Sequence, residues 1–435
     1  MGRKEKIVLV GAGSLQFGLG TVGSILASEV LKGATICLHD INKEALDLVS
    51  RACTEAVHER KLDFAIESTL DRGDALKGAT FVINSIEVPP RFMLLDMDYR
   101  VPLQFGNKQV TGENGGPGGL FHSIRVIPPI LDICADVVKI CPDAFFINFS
   151  NPMSRICLAI KRKFPSLRFV GLCHEYEHFL PYIEKITGKA KNDLDIVSGG
   201  LNHFGVILDI KDKASGADLY PAIRRDGPAF LRSLKAYDGL TLNAFVLETY
   251  GYIPYTPDSH FGEYVHWAWE RADIPAIRRF LRTYEDMLMA DHKRLVRRIE
   301  KGKGASCVVP DEERAVPIIE GIVTDKNYIE PSVNVPNTGV YSNLPQDLVV
   351  ECPAIVNRQG VKGIAYGEYP KGLAALLRTQ ASVQDLVVEA ILQKSKSIAL
   401  QALLADPVVE TSWQAKQILD EMLELQKNYI KIQLA

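Results

Sequence analysis

No two of the eight cysteines stand as a CxxC pair, and several lie in apolar runs, such as Cys37 in ICLHD and Cys134 and Cys141 in LDICADVVKICP. That usage excludes a disulfide framework and fits a reducing compartment. Charge of one sign is also missing: 50 Lys and Arg against 53 Asp and Glu leave a formal −3. Nothing electrostatic therefore favours nucleic acid or an anionic membrane surface as a partner. No apolar run approaches the roughly 20 residues that a bilayer requires, and MGRKE leads straight into the strand-like IVLVGAG without a hydrophobic leader. Linkers, repeats and low-complexity stretches are absent too. A cytoplasmic globular protein is the expectation, with neither nucleic acid nor membrane as partner.

What is present is a strand and helix alternation across the first 200 residues. IVLVGAG, ATICLHDI, TFVINSIE and AFFINFSNP are short, continuously apolar runs ending in Gly, Asp or Asn, and RFVGLCHE adds another. Helical patterns lie between them at residues 18–31, 43–58 and 123–139, with a further one near 179–186. Continuously apolar strands separated by helices imply a parallel sheet covered on both faces. After about residue 193 the pattern changes. LDIVSGGLNHFGVILDIKD reads as two extended segments around a Gly-rich turn, and residues 220–232, 277–302, 372–404 and 413–430 read as helices. The expected fold is α/β. Residues 1–195 form a Rossmann-like, doubly wound parallel sheet, and residues 196–435 an α+β substrate and oligomerisation domain. The apolar helical stretches at 386–404 and 418–430 suggest a homodimer or homotetramer.

Gly11 and Gly13 follow the first strand and open a helix. Glycine there permits a tight turn and lets a pyrophosphate approach backbone N–H groups at a positive helix end. Ser14 can cap that helix or donate to a phosphate. The third glycine of the usual fingerprint is replaced by Gln16, with Gly18 as the substitute packing position. Asp40, at the end of the second strand, stands where a carboxylate accepts ribose hydroxyls and selects NAD over NADP, although a helix cap is the alternative.

Cys173 in GLCHE and His203 in GLNHFG each follow a strand-like run. A thiolate and an imidazole can hold a borderline divalent ion and leave positions open for substrate oxygens. Each also reads as a buried core residue, and a separation of 30 does not decide between the two. Asn148 and Asn151 bracket NFSNP at the carboxyl edge of the sheet, where ligands bind in open α/β folds. The loop from Thr111 to Ser123 carries five glycines between Gly112 and Gly119, a composition suited to close approach by a ligand.

In this order, GAGS at 11–14, DYRVPLQFG at 98–106, TGENGGPGG at 111–119, SNPM at 150–153, GLCH at 171–174 and GLNH at 200–203 resemble glycoside hydrolase family 4. These are NAD- and metal-dependent glycosidases related to lactate and malate dehydrogenases, and the resemblance covers nearly the whole chain. It implies NAD and Mn²⁺ as cofactors, with Cys173 and His203 as metal ligands. It implies that Asn151 and Asn202 hold sugar hydroxyls, with Glu113 also at the substrate, and that His174 occupies the acid's position. TPDSHFGEY, residues 256–264, matches the region that supplies the base: Asp258 is the first choice, with Tyr255 and His260 as competitors. His174, where phosphosugar members have Asp or Asn, implies an unphosphorylated α-glycoside, whether glucoside, galactoside or galacturonide. Glu113-Asn114 and Glu175 depart from the family pattern and bear on which sugar is bound. The implied reaction is oxidation at carbon 3, elimination, water addition and re-reduction. A sugar or 2-hydroxyacid dehydrogenase with net redox turnover is the alternative, and a non-catalytic nucleotide sensor a more distant one.

Overall fold

The computed structural model describes residues 4–15, 17–234 and 239–434. Gln16 therefore lies outside the described residues. In β1 (Lys6–Val10), residues 7–10 are buried, so the strand must be covered on both faces. It lies between β2 (Thr35–His39) and β4 (Phe81–Asn84), parallel to both. With β3 (Ala65–Thr69), β5 (Phe145–Asn148) and β6 (Phe169–Gly171), the parallel half runs β3-β2-β1-β4-β5-β6. Chain order reverses between β1 and β4. At such a reversal the connections leave in opposite directions and open a crevice at the carboxyl ends of the strands.

The same sheet continues with antiparallel strands. β7 (Leu194–Leu201) and β8 (Phe204–Asp212) form a hairpin, while β9 (Tyr328–Pro336), β10 (Val349–Asn357) and β11 (Gly360–Gly363) come from late in the chain. β9 joins the parallel half where Asn334 pairs with Gly171, and β10 joins β7 where Glu351 pairs with Gly200. Among the described residues this makes one sheet of eleven strands. The boundary expected at 195/196 falls inside β7, and one hydrophobic cluster holds Ile7 and Leu9 together with Val333 and Val350. The two halves of the chain share a core.

Two elements escape the sequence patterns. β3 is an edge strand with little burial, and the helix Arg91–Gln104 has almost no amphipathic periodicity. The helix expected from residue 123 begins at Gly116, within the glycine loop. The helical stretch at 372–404 is two helices, Lys371–Gln393 and Lys396–Ala405, parted at Lys394, whose φ is +55°. Val387, Val388, Ile391, Leu403, Ile418, Leu419 and Met422 are buried inside this chain. The apolarity that suggested subunit contacts is therefore largely used for internal packing. No described helix is long and apolar enough to cross a membrane.

The helix Phe17–Ala27 packs unusually close to the first turn. A Cβ on Gly18 would lie 2.5 Å from the carbonyl oxygen of Ala12, and one on Gly23 would collide with the backbone of Val309. Gly18 thus supplies the close packing that the third fingerprint glycine usually gives. Gly18→Ala is expected to cost about 1–3 kcal/mol through overpacking, read as a lower urea midpoint, and to weaken dinucleotide binding. An unchanged midpoint would contradict this packing account.

Candidate active site

Four neighbouring parallel strands deliver their next residues to one cleft of about 420 Å³: Ser14 after β1, Ser85 after β4, Asn151 after β5 and Cys173 after β6. This is the crevice that the strand order creates. Its far wall comes from the antiparallel half. His203, in the tight turn between β7 and β8, holds a left-handed φ of +60°. A non-glycine residue in that region is strained and is retained where the surroundings fix it. Its Nε2 lies 3.5 Å from Cys173 Sγ, so residues 30 apart in sequence meet at the base of the cleft.

The surroundings of the pair are polar and organised. His203 Nδ1 is 3.0 Å from the Asn114 side-chain amide, which also reaches Glu113. Asn114 Nδ2 donates to Glu113 Oε2 at 3.0 Å and faces His203 Nδ1, while His203 Nε2 faces Cys173 Sγ. Burial, followed by the charges of His260 and His174, holds the His203 pKa well below the usual range, so the imidazole is neutral. Burial, reinforced by Glu351 and Glu175, pushes the Cys173 thiol well above its usual value. Beside them Asn202 donates to Glu351 Oε2 at 3.2 Å, while its buried Oδ1 has no hydrogen-bond partner among the described residues. Glu351, lifted to about 7 by burial, also accepts from Ser332 at 2.6 Å.

The glycine loop is held by one carboxylate. Glu263, buried at the foot of the loop, accepts from Thr111 Oγ1 at 2.5 Å and from the N–H groups of Glu113, Asn114 and Gly115 at 2.6, 2.9 and 3.2 Å. Sequence reasoning passed over Glu263 because a lone glutamate carries no periodic or spacing signal. Glu175, singled out beside the Cys-His pair, lines the cleft, and Arg91, Tyr284, Asp311 and Glu313 line it unforeseen, from segments without motifs. Glu313 Oε1 lies 3.1 Å from His174 Nδ1. Burial alone would lower the His174 pKa, but the Glu313 hydrogen bond and charge overturn this and lift it to about 9.

The residues expected at a dinucleotide stand together. Gly11 has φ +88° and approaches the backbone of Ser85 and Ile86, leaving no room for a side chain. Asp40 Oδ2 accepts the Gly13 N–H at 2.7 Å and Oδ1 the Asn42 N–H at 2.8 Å, so its carboxylate is fixed at the end of β2 beside the turn. The residues expected to supply the base do not stand together. Asp258 is fully buried, lies outside the lining of the cleft, and accepts from the N–H groups of Leu242 and Asn243 at 2.9 and 3.1 Å and from Thr241 Oγ1 at 3.1 Å. It holds the first turn of the helix Thr241–Tyr250, and burial raises its pKa to about 6 against those donors. Tyr255 is buried against Gly205 and the ring of Tyr176. His260 alone of the three borders the cleft, its ring 4.4 Å from that of His203, and ligand atoms of Glu113, His203 and His260 lie within 4.8 Å of one another.

A dinucleotide-type sheet edge with a half-buried thiol beside a buried imidazole beneath it fits an enzyme that combines a nucleotide with a divalent cation. The profile of family 4 glycosyl hydrolases matches residues 6–188, and that of the family's C-terminal domain matches residues 198–409. The chain belongs to this family. It is 42% identical to an α-glucosidase of Erwinia rhapontici over 98% of this chain and 99% of the relative, and 30% identical to an α-galactosidase of Bacillus subtilis strain 168 over 95% and 96%. A 6-phospho-α-glucosidase from gut microorganisms, solved with NAD and Mn²⁺, superimposes with a TM-score of 0.86 at 22% identity over the full length of both chains. Family membership makes the chain a glycosidase and sets aside a dehydrogenase with net redox turnover.

Because Asp258 accepts on both carboxylate oxygens, Asp258→Asn keeps one acceptor and is expected to be destabilised less than Asp258→Ala. Asp258→Ala should cost about 1–3 kcal/mol by leaving buried donors unpaired. Denaturant titration of both variants checks this, and an Asn variant as destabilised as the Ala variant would refute the capping role.

Proposed function

We propose that this chain is an NAD- and divalent-metal-dependent α-glucosidase acting on unphosphorylated α-glucosides. The observation that carries the reading is Cys173 Sγ 3.5 Å from a neutral, strained His203 beside an unpartnered Asn202 oxygen. That donor set fits a borderline divalent ion such as Mn²⁺: burial beside two carboxylates disfavours a bare thiolate, and a cation is the charge that would stabilise it. The Gly11 turn and the fixed Asp40 carboxylate fit NAD⁺, with Ser14 toward the phosphates.

The bound cofactors supply a temporary oxidation at sugar carbon 3 and polarisation of the ketone, which makes the carbon 2 proton acidic. This chain's residues do the rest. His260, on the cleft wall against His203, takes the carbon 2 proton, while Asp258 and Tyr255 remain structural. His174, kept protonated by Glu313, gives a proton to the departing glycosidic oxygen. Asn151 and Glu113 line the cleft and face the sugar hydroxyls, and Asn202, buried behind the lining with an unpartnered Oδ1, supports the same wall. The wall carries Glu113, Glu175, Asp311 and Glu313 against Arg91 and His174, and both of those cations already face carboxylates. A phosphate or uronate would enter a field of its own sign, which favours a neutral hexose. The resemblance to the Erwinia rhapontici α-glucosidase narrows this to glucose.

Hydrolysis of an α-glucoside is expected to require both NAD⁺ and Mn²⁺, and turnover in deuterated water should place deuterium at carbon 2. His260→Gln should lower exchange and hydrolysis together by about 10²–10⁴-fold while NAD⁺ binding persists. Full activity after dialysis against chelator and charcoal, or product protiated at carbon 2, would contradict the reading.

A further inference from the structure

A second lobe of about 440 Å³ opens from the cleft. The two lobes share Arg91, Glu113, His174, Glu175, His260 and Tyr284 as a common wall. Beyond that wall the second lobe is lined by Leu95 and Tyr99 from the helix Arg91–Gln104 and by Phe280, Leu281 and Tyr284 from the helix Ile274–Glu300. All five side chains are half-buried, and the rings of Phe280 and Tyr284 lean on each other at 5.2 Å.

We propose that this lobe is the leaving-group site and that it takes an apolar, aryl aglycone rather than a second sugar; the inference rests on the glycosidase reading above. Two observations carry it. The first is the position of the shared wall. A glycosidic oxygen joins the sugar to its leaving group, so the acid that protonates it must touch both, and His174 borders both lobes. The second is the chemistry of the lining. A second hexose needs hydrogen-bonding partners for its hydroxyls, and the polar groups here are largely engaged elsewhere. Thr111 Oγ1 and Glu263 bind each other and the loop backbone, and Tyr99 Oη accepts from Arg278 Nε at 3.4 Å. Ser259 Oγ meets His260 Nδ1 at 2.7 Å, and apart from His178 and the shared wall what remains is aliphatic and aromatic surface, which favours a flat apolar ring.

The test compares 4-nitrophenyl α-glucoside, methyl α-glucoside and maltose with NAD⁺ and Mn²⁺ present. In Phe280→Ala and Leu281→Ala, the ratio of kcat/KM for the nitrophenyl over the methyl glycoside should fall by roughly 10-fold or more, through KM, as expected for a hydrophobic contact with the leaving group. Both positions are half-exposed on a helix where alanine is well tolerated, so folding is preserved. An unchanged ratio overturns the assignment of the lobe while leaving the glycosidase reading intact. A selective loss on maltose overturns it in favour of a sugar occupant. Failure of the unmodified enzyme to hydrolyse any of the three overturns the glycosidase reading and this inference with it.

Discussion

Two backbone pairings carry the site: Gly171 with Asn334 joins the parallel half of the sheet to the antiparallel half, and Glu351 with Gly200 joins the β7–β8 hairpin to β10. The first fixes the end of β6, two residues before Cys173. The second fixes the end of β7, three residues before His203. Because a strand's side chains alternate faces, a slip of one residue at either pairing would turn one of these groups away from the cleft. The close approach leaves no space for a side chain at Gly171, where a Cβ would lie 2.5 Å from Met153 Sδ and 2.8 Å from Cys157 Sγ. Glu351 and Asn334 are themselves buried and polar at these pairings, and Glu351 goes on to hold Asn202. Geometry for binding and geometry for folding are thus set by the same few residues.

The rest of the cleft is organised around charge held out of water. Glu263 gathers three backbone N–H groups and a threonine hydroxyl, which fixes the glycine loop and lets Asn114 meet His203. Segment 309–313 crosses the nucleotide-side helix, where Asp311 accepts from Ser24 at 2.8 Å, and brings Glu313 to His174. A loop from the second half of the chain therefore packs on the nucleotide helix and sets the protonation of a cleft residue. These contacts are long in sequence and short in space, and they tie the two halves of the chain together around the cleft.

Much of the nucleotide half was legible from residue patterns. The apolar runs of β1, β4 and β5 require burial on two faces, and the Gly11, Gly13 and Asp40 pattern has a defined mechanical meaning at a strand end. The thiol–imidazole pair was legible only as two candidates. Nothing in a 30-residue separation brings Cys173 to His203; the β6–β9–β10–β7 pairings do. Asp258 shows the opposite limit. Its residue type suited a base, yet a carboxylate's role depends on where it points, and here it points at helix N–H groups. Glu313 and Tyr284 carry no motif, Glu263 was passed over within TPDSHFGEY, and the meaning of all three arises only from packing. The expected boundary falls inside β7 because a hairpin pattern shows that two strands pair, but not which sheet they join.

Cobalt(II) substitution tests the central claim, that Cys173 and His203 together hold the divalent ion. Cobalt bound through a thiolate gives a sulfur-to-metal charge-transfer absorption in the near ultraviolet. The account predicts this band in the unmodified protein, its loss in Cys173→Ser, and weaker cobalt binding in His203→Ala with NAD⁺ binding retained in both. A cobalt spectrum without the thiolate band, or one that survives in Cys173→Ser, would contradict it.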